Sequence, residues 1–193
     1  MNIKPLIDYF NSFLPLTKEE VEELYMVVEQ RSVKRRQFIL SPGEVCKHHS
    51  FIVQGCFKTY KVDDAAKEHN LHFAVENQWV IDIGSFHSEK PSQLYIEAME
   101  PAVILQIAKP DLIRFYERNI KFNRIFRVII ENEFVLLQNR LLQTISTSAE
   151  QRYLAFMKLY PDLFNRISNV QVASYLGITP EFLSNIRKKL SES

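Results

Sequence analysis

The sequence predicts an α+β chain in three parts. A helical arm leads into a small antiparallel β-domain, a single long helix follows, and a small helical tail closes the chain. Three observations predict this. Between Ser32 and Ala108, short β-branched or aromatic runs are separated by turn residues. From Asn119 to about Ile145, apolar residues recur at helical spacing. From Ser168 to Leu190, two short helical patterns are joined by Gly177.

Residues 4–30 read as helical, with Leu6, Tyr9, Phe10 and Phe13 on one face. Leu14-Pro15-Leu16-Thr17 interrupts the pattern. Thr17 followed three positions later by Glu20 is a capping box, and Val21, Leu24, Val27 and Val28 resume the helical spacing.

From Ser32 the period changes. Phe38–Leu40, Phe51–Val53, Phe57–Val62, His69–Val75, Trp79–Ile83, Leu94–Ile96 and Val103–Ile107 read as strands. Ser41-Pro42-Gly43, Gln54-Gly55, Asp63-Asp64 and Glu76-Asn77 mark turns between them. Strands this short and this closely spaced argue for a sandwich, roll or barrel rather than an alternating α/β sheet.

Lys109-Pro110-Asp111 restarts helix, with a short one over 110–118 and a long one over 119–145. The long helix carries Phe122, Ile125, Phe126, Ile129, Ile130, Phe134, Leu137, Leu141, Leu142 and Ile145 on a wide apolar arc. That arc is wider than one seam needs. It is expected both to pack on the β-domain and to pair with a second copy of the chain. Phe122, Phe126, Ile129, Ile130, Leu137 and Leu141 are the candidate dimer residues. Ser146–Ala149 reads as a polar hinge, and Glu150–Leu159 as a helix offering Tyr153, Leu154, Phe156, Met157 and Tyr160 to a core. The expected domains are 1–118, 119–146 and 147–193.

The tail reads as a helix-turn-helix. Ser168 is the expected cap of its first helix, with Gln171 completing a capping box, and Val170, Ala173 and Leu176 as its apolar face. Gly177 ends that helix. Thr179 is the expected cap of the second helix, with Pro180 at its first position. Leu183, Ile186 and Leu190 make the buried stripe. Glu181, Phe182, Ser184, Asn185, Lys188 and Lys189 are left outside, as a helix reading a major groove needs. Glu181 can accept from cytosine N4, Asn185 suits adenine N6/N7, and Phe182 can touch a thymine methyl. Thr179, Ser184 and Lys188 are candidate phosphate contacts.

Composition narrows the function. Twenty-four Lys and Arg against 23 Asp and Glu leave a net charge of +1, so DNA binding would rest on a local patch such as Arg187-Lys188-Lys189. Two cysteines, Cys46 and Cys56, make neither a disulfide framework nor a four-thiolate cluster site. No run of about 18 apolar residues suggests a membrane span, and the N-terminus lacks a signal-type apolar core. A cytoplasmic chain with no membrane partner is expected. The five histidines (His48, His49, His69, His72 and His87) are scattered, and no metal site is expected. A small-barrel enzyme of the cupin kind would place ligands on one strand face, whereas His69 and His72 fall on opposite faces. No nucleophile–base pair, phosphate loop or catalytic carboxylate pair is visible, and the chain reads as a non-enzyme. A sensor domain whose terminal helices bind a protein partner instead of DNA stays open beside the DNA-binding reading.

The order of elements resembles the cyclic-AMP receptor protein/FNR (CRP/FNR) family of bacterial transcription regulators, in particular its short Bacteroidetes-type members. The resemblance rests on Pro42-Gly43-Glu44, on Ile52-Val53-Gln54-Gly55, and on Gly177 with the Ile178-Thr179-Pro180-Glu181 start of the last helix. It implies a cyclic nucleotide-binding-like β-roll, a long dimerisation helix and a C-terminal (winged) helix-turn-helix. It also implies a homodimer on a palindromic operator with half-sites about 34 Å apart, and RNA polymerase as a further candidate partner. With Ser193 so close behind Leu190, no wing is expected after the recognition helix, and any strands of the small domain are expected before it.

In this family the cyclic phosphate is held by a cassette with a glycine-glutamate pair and an arginine. Aligned on Trp79–Ala98, Ile81 stands for the glycine, Asp82 for the glutamate, and Ser92 and Gln93 for the arginine and the residue after it. Asp82, Ile83, Gly84, Ser85, Ser92 and Gln93 are therefore the candidate, degenerate effector pocket. Losing a bidentate arginine costs two to three decades of affinity, roughly, and Lys90 is a poor substitute for its planar fork. No cofactor and no ordinary cyclic-AMP binding are expected, and the effector is left open. Of the family's three base-reading positions, here Pro180, Glu181 and Asn185, only Glu181 matches, so the operator is expected to differ.

Overall fold

The computed structural model describes residues 1–191. The chain divides into two compact units, residues 1–61 with 72–130, and residues 62–71 with 131–193.

The first unit opens with α1 (Lys4–Asn11) and α2 (Lys18–Val27). The Thr17 hydroxyl accepts from the Glu20 amide, and the Glu20 carboxylate accepts from the Thr17 amide, closing the capping box. The chain turns from α2 straight into β1 (Val28–Val33) at Val28, which has extended backbone. The helix expected over residues 4–30 thus ends at Val27, and its last three positions are strand. Val-Glu-Gln-Arg-Ser-Val has little apolar content, and it is strand because its backbone pairs with β8 across its whole length.

The remaining strands are β2 (Phe38–Leu40), β3 (His48–Gln54), β4 (Phe57–Val62), β5 (Glu68–Ala74), β6 (Trp79–Val80), β7 (Tyr95–Ala98) and β8 (Ala102–Ala108). They form two four-stranded sheets, ordered β1-β8-β3-β6 and β2-β7-β4-β5. β6 stops at Val80, short of the expected Ile83, because Asp82 caps a helical turn, α3 (Ile83–Ser88). One glycine is fixed by close approach. Gly55 has φ of +102°, and a Cβ there would lie 2.6 Å from the Cβ of Ala102.

α4 (Lys109–Arg118) leads into α5 (Ile120–Ser146). Phe122, Ile125, Phe126 and Ile129, on the first part of α5, are buried in the protomer's own core. Phe122 packs on Phe115 with ring centroids 4.4 Å apart and on Phe10 at 5.4 Å. Phe126 sits 5.4 Å from Trp79. Three of the expected dimer residues, Phe122, Phe126 and Ile129, therefore face the β-roll and its helical arm. Along the sequence the apolar stripe is continuous, and only tertiary packing divides it.

The second unit contains the later part of α5, then α6 (Ala149–Leu159), a 3₁₀ turn (Leu163–Asn165), α7 (Asn169–Leu176) and α8 (Pro180–Ser191). Ser148 and Gln151 form a second capping box, which ends the hinge expected at 146–149. Its core holds Tyr153, Phe156, Tyr160, Leu163, Val172, Ala173, Leu176, Leu183 and Ile186. Leu154 and Val170, both expected inside, are exposed, and Val172 takes the place expected for Val170. No strand follows α5 among the described residues. The described part of the small domain is therefore all-helical, without the strands that the winged form would carry.

Candidate nucleic-acid interface and effector region

α7 and α8 meet at a tight left-handed turn. Gly177 has φ of +68°, and the Ile178 amide donates back to the Ala173 carbonyl at 3.0 Å. The Thr179 hydroxyl accepts from the Phe182 amide at 3.2 Å, the expected cap of α8. Ser168 behaves differently. Its side chain caps nothing, and Gln171 is engaged elsewhere.

Leu183 and Ile186 point inward, and Glu181, Phe182, Ser184, Asn185, Lys188 and Lys189 are exposed. Phe182 is half exposed at 50%, unusual for a phenylalanine with an apolar core beside it. The Ser184 hydroxyl donates to the Pro180 carbonyl at 3.0 Å. The basic run divides three ways. Arg187 turns inward, donating to Asn169 Oδ1 at 2.8 Å and lying 4.2 Å over the Phe164 ring. Lys189 pairs with Glu150 at 2.8 Å. Lys188 is exposed in the last turn.

Asn70 and Arg140, which no sequence motif singles out, hold α7. Asn70, in the β4–β5 hairpin segment of this unit, is buried. Its side chain donates to the Gln171 carbonyl and to Gln171 Oε1, and its amide donates to the Ser174 hydroxyl. The Ser174 hydroxyl in turn donates to the Glu68 carbonyl at 2.7 Å. Arg140 donates to the carbonyls of Asn70 (2.9 Å) and Tyr175 (3.0 Å), and its guanidinium lies 3.9 Å over the Tyr175 ring. Burial pushes the Tyr160 hydroxyl well above the usual phenol range and raises that of Tyr175. The one sequence signal for Arg140 is that it is the lone arginine of the leucine-rich second half of α5.

The exposed apolar residues of α5 are Ile120, Ile130, Phe134, Val135, Leu136, Leu137, Leu141, Leu142 and Ile145. Of the expected dimer residues, Ile130, Leu137 and Leu141 lie among them. Ile120 at 86%, Ile145 at 71% and Phe134 at 66% are the most exposed of them.

In the β-roll, the six cassette residues come together only in part. Asp82 caps α3, its Oδ1 accepting from the Ser85 amide, while Oδ2 accepts from the Ser92 hydroxyl at 2.7 Å. The Ser85 hydroxyl accepts from the Cys46 amide and donates to the Lys90 carbonyl. The Ser92 backbone bridges to the 43–44 turn through Gly43 and Glu44. Asp82, Ser85 and Ser92 thus form one closed hydrogen-bonded group. Ile83, Gly84 and Gln93 face outward, and Gln93 Oε1 accepts from Lys61 at 2.9 Å. A serine and a glutamine stand where a cyclic phosphate needs a guanidinium, and Asp82 already has two donors. This arrangement does not fit a cyclic nucleotide held in the family's manner.

Cys46 and Cys56 are both buried thiols, and burial pushes the Cys46 thiol up. The described residues hold no group of three or more His, Cys, Asp or Glu placed for a metal ion. His69 instead pairs with Asp63 at 2.7 Å, which holds that carboxyl below its usual range. No described helix is long and apolar enough to cross a membrane.

Residues 30–119 match the family model of the cyclic nucleotide-binding domain. Among solved structures, the chain is similar to FixK2 from Bradyrhizobium japonicum (TM-score 0.74, 16% identity, 86% of this chain and 85% of that one). It is similar to a chain assigned to the CRP/FNR family of transcriptional regulators from Eubacterium rectale (TM-score 0.72, 15% identity, 95% and 88%). It is also similar to a cyclic nucleotide-binding domain containing protein from Listeria monocytogenes (TM-score 0.71, 20% identity, 98% and 90%). No curated protein matches it by sequence.

Proposed function

We propose, for a chain with a cyclic nucleotide-binding domain over residues 30–119 and the fold of the CRP/FNR transcription regulators, that it is a sequence-specific DNA-binding regulator acting as a homodimer. The observation that carries the reading is the division of α8. Leu183 and Ile186 anchor it, while Glu181, Phe182, Asn185 and Lys188 stand in solvent on a capped, rigidly seated helix. Glu181 and Asn185 would read base edges, and Phe182 a thymine methyl. Thr179, Ser184, Lys188 and Lys189 would contact phosphates.

The exposed ridge of α5 supports the dimer, with Ile130, Phe134, Leu137 and Leu141 as its main residues. Nine exposed large apolar residues on one helix are more than monomers usually leave in water. The β-roll is the effector domain, and its Asp82–Ser92 closure argues against cyclic AMP as the effector. We assign no enzymatic activity, a cytoplasmic location, and RNA polymerase as a further partner.

Selection of bound DNA from a random pool tests the reading. A palindrome whose half-sites lie one helical turn apart is the expected result. Recovery of no enriched sequence, with binding equal on all DNA, would overturn it.

A further inference from the structure

A cavity of about 390 Å³ lies in the first unit, against the strands of the β-roll. Strand alternation decides what faces it. On β3, His49 and Phe51 turn to the aromatic cluster around Trp79, so His48 and Ser50 turn to the cavity. Ser50 pairs with Gln106 of β8 and with Val80 of β6, and all three line it. On β1, Arg31 sits opposite the buried Ile104, which places it on the same face. Leu40, Val80 and Ile96 supply buried apolar wall.

The polar groups there are incompletely used. The Ser50 hydroxyl accepts from Gln106 Nε2 at 3.0 Å, which leaves its own proton to give. Gln106 Oε1 receives no donor among the described residues, although Gln106 is about nine-tenths buried. The half-buried Arg31 guanidinium likewise makes no hydrogen bond or ion pair among them. Burial pulls His48 below the usual histidine range, so near neutral pH it presents an uncharged ring. Glu29 shares the Arg31 face two residues earlier, and the exposed Glu44 and Lys47 lie at the rim.

We propose that this cavity binds a small amphipathic carboxylic acid, its carboxylate on Arg31 and its apolar body on Leu40, Val80 and Ile96. The proposal rests on the reading of the β-roll as an effector domain. A planar guanidinium matches a carboxylate in a bidentate fork. With Glu29 and Glu44 nearby, the local charge suits one negative charge rather than a dianionic phosphate. At ~30 Å³ for each water-sized group, the volume holds on the order of a dozen non-hydrogen atoms. A polar substituent reaching Ser50 and Gln106 would be hydrogen-bonded rather than stranded.

The test uses the purified full chain without DNA, titrated with octanoate and 3-phenylpropanoate and with their primary amides. Calorimetry is expected to find at least one acid binding about tenfold or more tighter than its amide, a single charge-assisted contact being of that order. Arg31→Met is expected to remove that preference, and Arg31→Lys to keep part of it. Ile96→Trp, which fills the cavity, is expected to block acid and amide alike with the melting transition kept. Failure of both acids to bind, equal binding of acid and amide, or a preference that survives Arg31→Met would overturn the proposal. Because DNA is absent, such a failure leaves the reading of α8 untouched. Acid binding that leaves DNA affinity unchanged would instead count against the effector role alone.

Discussion

Asn70 donates from one side-chain nitrogen to two oxygens of Gln171, the backbone carbonyl at 3.0 Å and Oε1 at 2.8 Å. The β4–β5 hairpin segment is thereby tied to the first helix of the helix-turn-helix. Asn70→Ala leaves both acceptors without that donor and is expected to destabilise the second unit by about 1–3 kcal/mol. Hydrogen exchange across α7 and α8 checks this. Gln171→Ala removes only the Oε1 partner, so its effect is expected to be smaller. An equal effect from both substitutions would place the strength elsewhere.

Asp82 and Ser92 close on each other where the family's cassette would hold a phosphate. Asp82→Ala is expected to lower stability by about 1 kcal/mol through loss of the α3 cap. Calorimetry with cyclic AMP is expected to give no heat of binding before or after the substitution. A micromolar affinity that Asp82→Ala abolished would contradict the reading.

The apolar arc of α5 divides into two classes of position. Phe122→Ala is expected to cost about 3–5 kcal/mol of folding stability, because Phe122 is fully buried among Phe10 and Phe115. Phe134→Glu and Leu141→Glu, at exposed positions, are expected to leave the melting transition near that of the parent and to give monomers in sedimentation. Dimers that survive both substitutions would remove this face from the interface.

Lys188→Ala is expected to weaken binding to every sequence and to reduce the slope of log K against log salt by about one. Glu181→Ala is expected to relax preference at one base pair while leaving that slope unchanged. Titrations at several salt concentrations on the selected site and on a scrambled one separate the two effects.

His49 links stability to pH. It is buried among Trp79, Phe86 and Phe126, and desolvation, with a smaller contribution from His87, brings it down to about 4 from an ordinary 6.5. The folded state therefore binds its proton less readily than the unfolded state does. Its contribution is complete above pH 6.5 and is lost as the pH falls toward 4. At 1.36 kcal/mol per pH unit the loss is on the order of 3 kcal/mol. Urea denaturation between pH 7.5 and 4.5 is expected to show this slope in the parent chain and a shallower one in His49→Phe.

Much of the architecture was legible because local chemistry wrote it down. Thr17 and Glu20, Gly177, and Thr179 with Pro180 each fix a helix end by a bond or a backbone angle that one residue type supplies, and each stands where the sequence put it. β1 was not legible, because its pairing with β8 is set by a partner 75 residues or so away and not by its own polar composition. The division of the α5 arc was hidden for a related reason. Phe126 and Phe134 look alike in sequence, and only the aromatic cluster around Trp79 makes one of them core. Ser168 and Gln171 show a local signal losing to a distant one, since Gln171 accepts from Asn70 rather than closing a capping box. Among the surface groups of α8, the exposure of Glu181, Phe182, Asn185 and Lys188 followed from periodicity, while the inward turn of Arg187 required Phe164 to be in place.

The pairing of Lys189 with Glu150 bears on how phosphate contacts would be counted. A lysine that reaches DNA from open solvent displaces a condensed cation from the duplex. Lys189 would first have to leave a carboxylate, and Glu150, newly exposed, would then recruit a cation of its own. The two exchanges offset, so a contact made by Lys189 would be nearly silent in the salt dependence of binding. A count of phosphate contacts taken from that dependence would therefore fall one short for each protomer. Glu150→Gln would bring the missing contact back into view as a steeper slope.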